Sequence, residues 1–477
     1  MRLGNRYEPR LVGAALLAGS LIGAASGCGS SSNACVIGAA DGCDDGLICE
    51  EVMGGEPACF APLFVRGRVL DARTLRGIAG ARVLAVDANG AARSTVVESA
   101  ADGAYSLPVP AQRSSDGAPL DAQVTLRADA AGYQSFPTAP RTALPVELDA
   151  AARGADGVLA VENAATDIAL IERAGLPASA ARVEGTVVAD DPGGVLVIAE
   201  QGGRAVGTAT TADDGSFVLF DVPAGDTHIA GYRSGLDVGA VELTVVAPLT
   251  TGVSLGAVDG ALTTVSGRVE IVNASGIGDT SVILVVESTF DEAVARGIAP
   301  PGLRAYPVNG PFSITGVAPG RYVVLAAFEN DRLVRDPDQS IAGTDIVHIE
   351  VTAGQGSLAI PDSFKVTGAL EVVSPGATGV EVISDASPTL VWRDDSSEDG
   401  YEIRIYDAFG TLLHEDTAVP RVTGSPTVEY AWTTASLEPG MLYQFRVLSF
   451  QDGRDGRTYI SASEDLLGAF EFRPATP

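Results

Sequence analysis

The sequence predicts an all-β protein, a series of tandem antiparallel β-sandwiches behind a short disulfide-rich N-terminal module. Three observations predict it. A strand opening recurs as Val65-Arg66-Gly67-Arg68-Val69, Val183-Glu184-Gly185-Thr186-Val187 and Val265-Ser266-Gly267-Arg268-Val269. Downstream of each copy lies an Asx-Gly turn with an aromatic two residues after the glycine: Asp102-Gly103 before Tyr105, Asp214-Gly215 before Phe217, and Asn309-Gly310 before Phe312. Asx-Gly pairs supply the positive φ of tight hairpins, and the alternating apolar residues around them read as half-buried strands with the aromatic as a core plug. Third, helical periodicity is nearly absent; Asp291–Ile298, in an insertion of the third copy, is the one stretch expected to form a short helix.

Taken in order, residues 1–27 read as an export signal. Arg2, Arg6 and Arg10 precede the apolar run Leu11 to Ala25, which is too short to span a bilayer comfortably. Ala25-Ser26-Gly27-Cys28 then closes the segment and resembles a bacterial lipoprotein signal, with Ala25 where that family prefers Leu. The resemblance implies that Cys28 becomes the acylated first residue of the mature chain. It also implies an outer-membrane address, because Gly29 is not the Asp that retains such proteins in the inner membrane. Residues 28–34 are Gly/Ser-rich and read as a lipidated tether.

The remaining cysteines, Cys35, Cys43, Cys49 and Cys59, all fall in the module 35–61. Such density in an exported chain points to two disulfides, with three connectivities open. Zinc is the rival reading, but the spacing lacks a paired C-x-x-C and no His is near.

The repeat organises residues 62–175, 180–260 and 262–366, the third copy divergent. With the turns Val222-Pro223-Ala224-Gly225 and Val317-Ala318-Pro319-Gly320, it resembles the carboxypeptidase regulatory-like domain, a transthyretin-like sandwich of the carbohydrate-binding-like superfamily. That resemblance implies non-catalytic modules. Residues 376–474 differ: Trp392 ends an early strand, and Tyr443 follows Pro439-Gly440 at a strand start. The pattern fits a tyrosine corner and resembles a fibronectin type III domain.

Chemistry is harder to find. A formal net charge of −30 repels phosphate backbones and anionic lipid, so nucleic-acid binding is not expected and membrane contact falls to the acyl chains. Gly252-Val253-Ser254-Leu255-Gly256 matches a serine-hydrolase motif but leads into a loop, not the required helix. His228, His348 and His414 fall in three different modules, and no zinc-peptidase motif occurs. Neither an enzyme nor a cofactor is expected. Asp394, Asp395 and Asp399 form an acidic loop that is either solvated or a Ca²⁺ site. Tyr133, Phe136 and Tyr232, near apparent loop tips, are the aromatic candidates for a ligand. The leading functional reading is a lipid-anchored surface protein whose sandwiches act as stalk or scaffold for adhesion or envelope interactions. The alternative is a carbohydrate-binding surface lipoprotein, and in either case the protein or polysaccharide partner is unidentified.

Overall fold

The computed structural model describes residues 35–474, apart from 38–41, 45, 88–90, 121, 139–142, 174, 178, 273–279, 293–295, 327–332, 336–345, 396, 434–435 and 455. The signal 1–27, Cys28 and the tether lie outside the described residues. The fold is all-β, in multiple sheets that pair face to face. A two-stranded ribbon, Ile48–Glu50 with Ala58–Phe60, forms the N-terminal knot.

Four sandwiches follow. In the first, Leu63–Asp71 is flanked by Ala104–Val109, Leu159–Val161 and Ile168–Leu170, and this sheet faces the sheet of Arg82–Val86 and Gln123–Asp129. In the second, Ala180–Val188 lies between Ser216–Pro223 and Leu249–Gly256. The third repeats that arrangement with Thr263–Val272 between Pro311–Val317 and Ser357–Gly368. The fourth packs Val372–Ser374, Thr389–Arg393 and Thr427–Ala431 against a sheet containing Gly400–Asp407 and Leu442–Gly453. Most neighbouring strands run antiparallel, but in the first three sandwiches the opening strand pairs parallel with the strands that close the unit.

The two halves of the sequence repeat turn out to be cross-strand partners. Gly67 stands opposite Tyr105, Gly185 opposite Phe217, and Gly267 opposite Phe312. The glycine leaves room that a side chain would fill. A Cβ would overlap the carbonyl oxygen of Thr166 at Gly67, would meet both the carbonyl oxygen of Val253 and the Phe217 ring at Gly185, and would sit 2.7 Å from the Phe312 ring at Gly267. The turn glycines take positive φ, +84° at Gly103, +81° at Gly215 and +104° at Gly310. Each offers its carbonyl to the second valine of the motif, at 2.8 Å to Val69, 2.9 Å to Val187 and 2.7 Å to Val269. In the first copy the plug carries a hydroxyl, and Tyr105 donates it to the Thr166 carbonyl at 2.5 Å.

Two expectations need correction. The stretch 291–298 is not helical in its described residues: Asp291 and Arg296 form an antiparallel bridge that closes a loop, and only a short 3₁₀ turn, Glu287–Thr289, precedes it. Nor do the sandwiches line up as a simple stalk, because strands with continuous apolar runs bury both faces and draw non-consecutive units together. Leu196, Ile198, Ala230 and Tyr232 of the second sandwich join the core of the third, where the Tyr232 and Tyr322 rings meet edge-on at 6.0 Å. Ala91 of the first packs on Ile283, Val285, Val323 and Leu325 of the third. Ala408 and Leu442 of the fourth join the core of the first, and Glu147 Oε1 accepts the Val380 N–H at 2.6 Å. Arg127 of the first also donates to the Thr208 hydroxyl of the second at 2.6 Å, so the first sandwich touches all three others.

An ion cluster ties the third sandwich to the fourth. Asp465 faces Arg296 and Arg446, each at 2.6 Å. Burial by itself would raise the Asp465 carboxyl, but the two guanidinium groups outweigh it and hold it below the ordinary carboxylate range. A carboxyl depressed in the folded state stabilises above its unfolded pKa of about 3.9, and that contribution is lost as pH falls through the folded value. Asp465→Asn should therefore lower the urea-unfolding midpoint at neutral pH, with the gap to wild type shrinking from about pH 4 downward. Separately, Gly185→Ala should destabilise the second sandwich by about 1–3 kcal/mol, the cost of overpacking a filled core. Thermal unfolding followed by circular dichroism reads it.

Candidate functional site

The knot is stapled by Cys35–Cys49 and Cys43–Cys59, with Cα separations of 5.8 and 5.6 Å. Among the described residues, only Cys35, Cys43 and Cys49 bring three potential metal-ligand atoms within 4.8 Å of one another. Those sulfurs are consumed in disulfides, and the thiolate is the form that binds metal, so the zinc alternative is set aside.

A buried ion pair fastens the knot to the first sandwich. Glu50 and Arg113 are 3% and 1% exposed, with Arg113 Nε 2.6 Å from Glu50 Oε2. Glu50 Oε1 also accepts the Ala111 N–H at 2.7 Å. Arg113 in turn donates to the Ala61 carbonyl at 3.2 Å and lies 5.3 Å from the Phe60 ring centroid. Every charge is thus engaged, the condition under which a buried pair is tolerated. Nothing in the polar run Arg113-Ser114-Ser115 marks this arginine as buried, and sequence reasoning missed it.

Among the described residues, Asp394, Asp395 and Asp399 do not bring three carboxylate oxygens within 4.8 Å of one another. Asp394 accepts from the Tyr401 hydroxyl at 2.9 Å, Asp395 from Ser449 Oγ at 2.8 Å, and Asp399 from the Asp452 N–H at 2.9 Å. These carboxylates are turned apart and pin the loop to Gly400–Asp407 and Leu442–Gly453. Of the aromatic candidates, Phe136 and Tyr232 are buried, 3% and 6% exposed, and cannot offer a face to a ligand. Tyr133 is half-buried, and its hydroxyl donates to Asp71 Oδ2 at 3.0 Å. Both tryptophans, Trp392 and Trp432, are core residues. The Tyr443 hydroxyl accepts the Glu438 N–H at 2.7 Å, the backward bond of a tyrosine corner.

Ser254 lies within the strand Leu249–Gly256 rather than at a strand-to-helix elbow. The histidines are far apart in the topology. His228 pairs with Glu242 in the second sandwich, His348 with Glu287 in the third, and His414 with the Tyr430 hydroxyl in the fourth, each at 2.6 Å. Among the described residues, no helix is long and apolar enough to cross a membrane.

Tyr133 does line a cleft between the first and second sandwiches, together with Asp129, Arg173, Thr208, Phe220 and Asp221. Phe220 and Asp221 escaped sequence reasoning. The one signal was an aspartate inside an otherwise apolar strand, Phe217-Val218-Leu219-Phe220-Asp221-Val222.

No family model matches the chain, and no curated protein does. Solved structures similar to it include the Bacillus anthracis TIE protein, at 10% identity over 83% of this chain and 65% of that one, with a TM-score of 0.15. A minor pilin of Streptococcus agalactiae matches at 11% identity over 41% of this chain and 98% of its own, TM-score 0.17. A tetra-tandem repeat from the extending region of a large adhesion protein matches at 15% identity over 84% and 98%, TM-score 0.14.

The Glu50–Arg113 pair generates a prediction. Arg113→Ala should cost about 3–5 kcal/mol, because Glu50 is left buried and unpaired. The double change Glu50→Leu with Arg113→Met should cost less than either single removal. Urea unfolding of Arg113→Ala, Glu50→Leu and the double variant beside wild type makes the comparison.

Proposed function

We propose that this chain is a non-catalytic, lipid-anchored protein of the bacterial outer membrane, a β-sandwich scaffold for adhesion or for protein contacts in the envelope. The observation that carries the reading is the oxidised knot directly behind the Cys28 motif, since paired cysteines form and persist in extracytoplasmic compartments. Acyl chains on Cys28 would hold the membrane. Only residues 29–34 separate that anchor from the first knot cysteine, and six residues reach at most about 20 Å. The knot is itself clamped to the first sandwich by Arg113 and Glu50. The body would therefore ride close to the lipid surface as a cluster, presenting loops and edge strands of several sandwiches to a partner. We read the first three sandwiches as carboxypeptidase regulatory-like modules, supported by the shared glycine–aromatic pairing. The fourth is read as fibronectin type III-like, supported by Tyr443 and Trp392.

Labelled palmitate fed to a Gram-negative host expressing the full chain tests the anchor. Wild type should take up label and sediment with outer membranes, and Cys28→Ala should lose the label and appear in the soluble periplasmic fraction. An unlabelled, freely soluble wild-type protein would sink the anchoring reading.

A further inference from the structure

The cleft between the first and second sandwiches has a volume of about 370 Å³, near the small end of the roughly 300–1,000 Å³ typical of small-molecule sites. Two half-buried rings line it, Tyr133 from the first sandwich and Phe220 from the second. Both are held in place. The Tyr133 hydroxyl donates to Asp71, whose other oxygen accepts from the Thr74 N–H at 2.7 Å and its hydroxyl at 2.8 Å. The Phe220 ring is backed by the Arg182 guanidinium, 5.7 Å from its centroid.

A bulge aims Phe220 and Asp221 at this place. Ala181 pairs with Val222 and Val183 with Leu219, so Phe220 and Asp221 together stand opposite Arg182 alone. The third sandwich bulges at the same point, where Thr263 pairs with Val317 and Val265 with Ile314. There the left-handed residue is Gly316, at φ +72°, but in the second sandwich it is Asp221, at φ +56°. Glycine adopts that conformation freely, and a side chain is strained in it. The second copy thus tolerates strain to place a carboxylate, which reaches across the junction to accept the Gly132 N–H at 2.8 Å. Bulges and strained residues of this kind concentrate beside binding sites.

The chemistry of the walls narrows the ligand. Asp129 is matched by Arg127 at 3.0 Å and by the Ser135 hydroxyl. Asp221 is engaged by a backbone donor, and the hydroxyls of Ser135, Thr138 and Thr208 complete a polar rim. Fixed aromatic faces surrounded by hydroxyls and by carboxylates that already have donors, with the Arg173 guanidinium as a further hydrogen-bond donor at the edge, suit a ring with apolar C–H faces and a hydroxyl edge. We propose that this cleft binds a neutral oligosaccharide through one or two of its rings, stacked on Tyr133 and Phe220 and hydrogen-bonded to Asp221. A polyanionic glycan is disfavoured by the net charge of −30. This inference goes beyond the scaffold reading and does not depend on lipidation.

The test uses the full mature chain carrying Cys28→Ser, titrated calorimetrically with cellotetraose, xylotetraose, mannotetraose and maltotetraose, and with tetragalacturonate as the charged comparator. At least one neutral tetrasaccharide should bind saturably, and tetragalacturonate should not. Tyr133→Ala and Phe220→Ala should each weaken binding at least tenfold, while Tyr133→Phe, which keeps the ring, should stay within about threefold. Asp221→Gly relieves the left-handed strain but removes the acceptor of the Gly132 N–H, so it is titrated after circular dichroism shows it folded, and it should lose affinity. Silence from all four neutral sugars, preference for tetragalacturonate, or wild-type affinity in the two alanine variants would overturn the proposal. None of these outcomes bears on palmitate labelling of Cys28, so the two readings fail separately.

Discussion

The constraint on which the repeated sandwiches depend is the absence of a side chain at Gly67, Gly185 and Gly267. Each glycine sits where three strands converge: the aromatic stands opposite it on the antiparallel neighbour, and the closing strand breaks register around it. In the first copy that break is complete, with Leu159–Val161 and Ile168–Leu170 as separate strands joined by the 3₁₀ turn Ala164–Thr166. A methyl group at this point would push on the Thr166 backbone at Gly67, on the Val253 backbone and the Phe217 ring at Gly185, and on the packed Phe312 ring at Gly267. The aromatic in turn has to be flat, so that the sheet stays closed over it. Glycine and ring therefore form one unit of packing even though more than thirty residues separate them in the chain, and the recurrence of the pair follows from sterics.

Within that shared frame the sandwiches are held to each other by two different means. Apolar faces bring units together, as with Ile198 and Tyr232 against the third core and Ala408 and Leu442 against the first. Charged and polar clamps act beside them: Arg304 with Asp87, Arg296 with Asp465, and Glu147 with the Val380 N–H. The division makes physical sense. Apolar burial is non-directional and sets proximity, whereas an ion pair or a backbone hydrogen bond has a geometry and selects one register among many. The partly exposed pairs add little free energy individually, so their contribution is to orientation. Asp465, gripped by arginines from two units, is the strongest of them.

Local patterns made much of this architecture legible. The Asx-Gly turns, the plug aromatics, the buried tryptophans and the tyrosine corner each follow from short-range chemistry visible in the sequence. The paired cysteines were legible too, but not their connectivity: the ribbon sets Cys49 opposite Cys59, yet each bonds to a cysteine of the preceding segment, Cys35 and Cys43. What stayed hidden was everything decided between units. Thr280–Val286 is buried at all seven positions, and its unbroken Val-Ile-Leu-Val-Val run departs from the alternation of a half-exposed strand. Continuous apolar runs signal burial on both faces. Taken that way, this strand and Leu196–Gln201 would have announced that the sandwiches clasp one another. Tyr232 shows the same limit from the other side: a residue judged to sit at a loop tip is a strand residue covered by a neighbouring unit. Arg113 carried no signal of any kind, since a buried arginine is intelligible only once its carboxylate partner is in place.

Repetition then gives a way to separate scaffold from site. Positions that every copy shares, such as the glycine and its ring, answer to the requirements of the fold and say nothing about partners. Positions where equivalent backbone carries unlike residues answer to something else. The bulge is the clearest case, because the third copy shows that glycine satisfies the backbone there, and the second copy nevertheless holds Asp221 in the left-handed region. The same contrast applies to Phe220, whose counterpart is Thr315. A threonine offers no ring to stack on. The differences between copies thus cluster on the edge that meets the first sandwich, next to Tyr133. Asp221 fastens the junction by accepting the Gly132 N–H, as the Gly316 carbonyl accepts the Gly235 N–H at the next junction, so what the second copy adds beyond that bond is the Phe220 ring beside Tyr133, the pair on which the proposed ligand would stack.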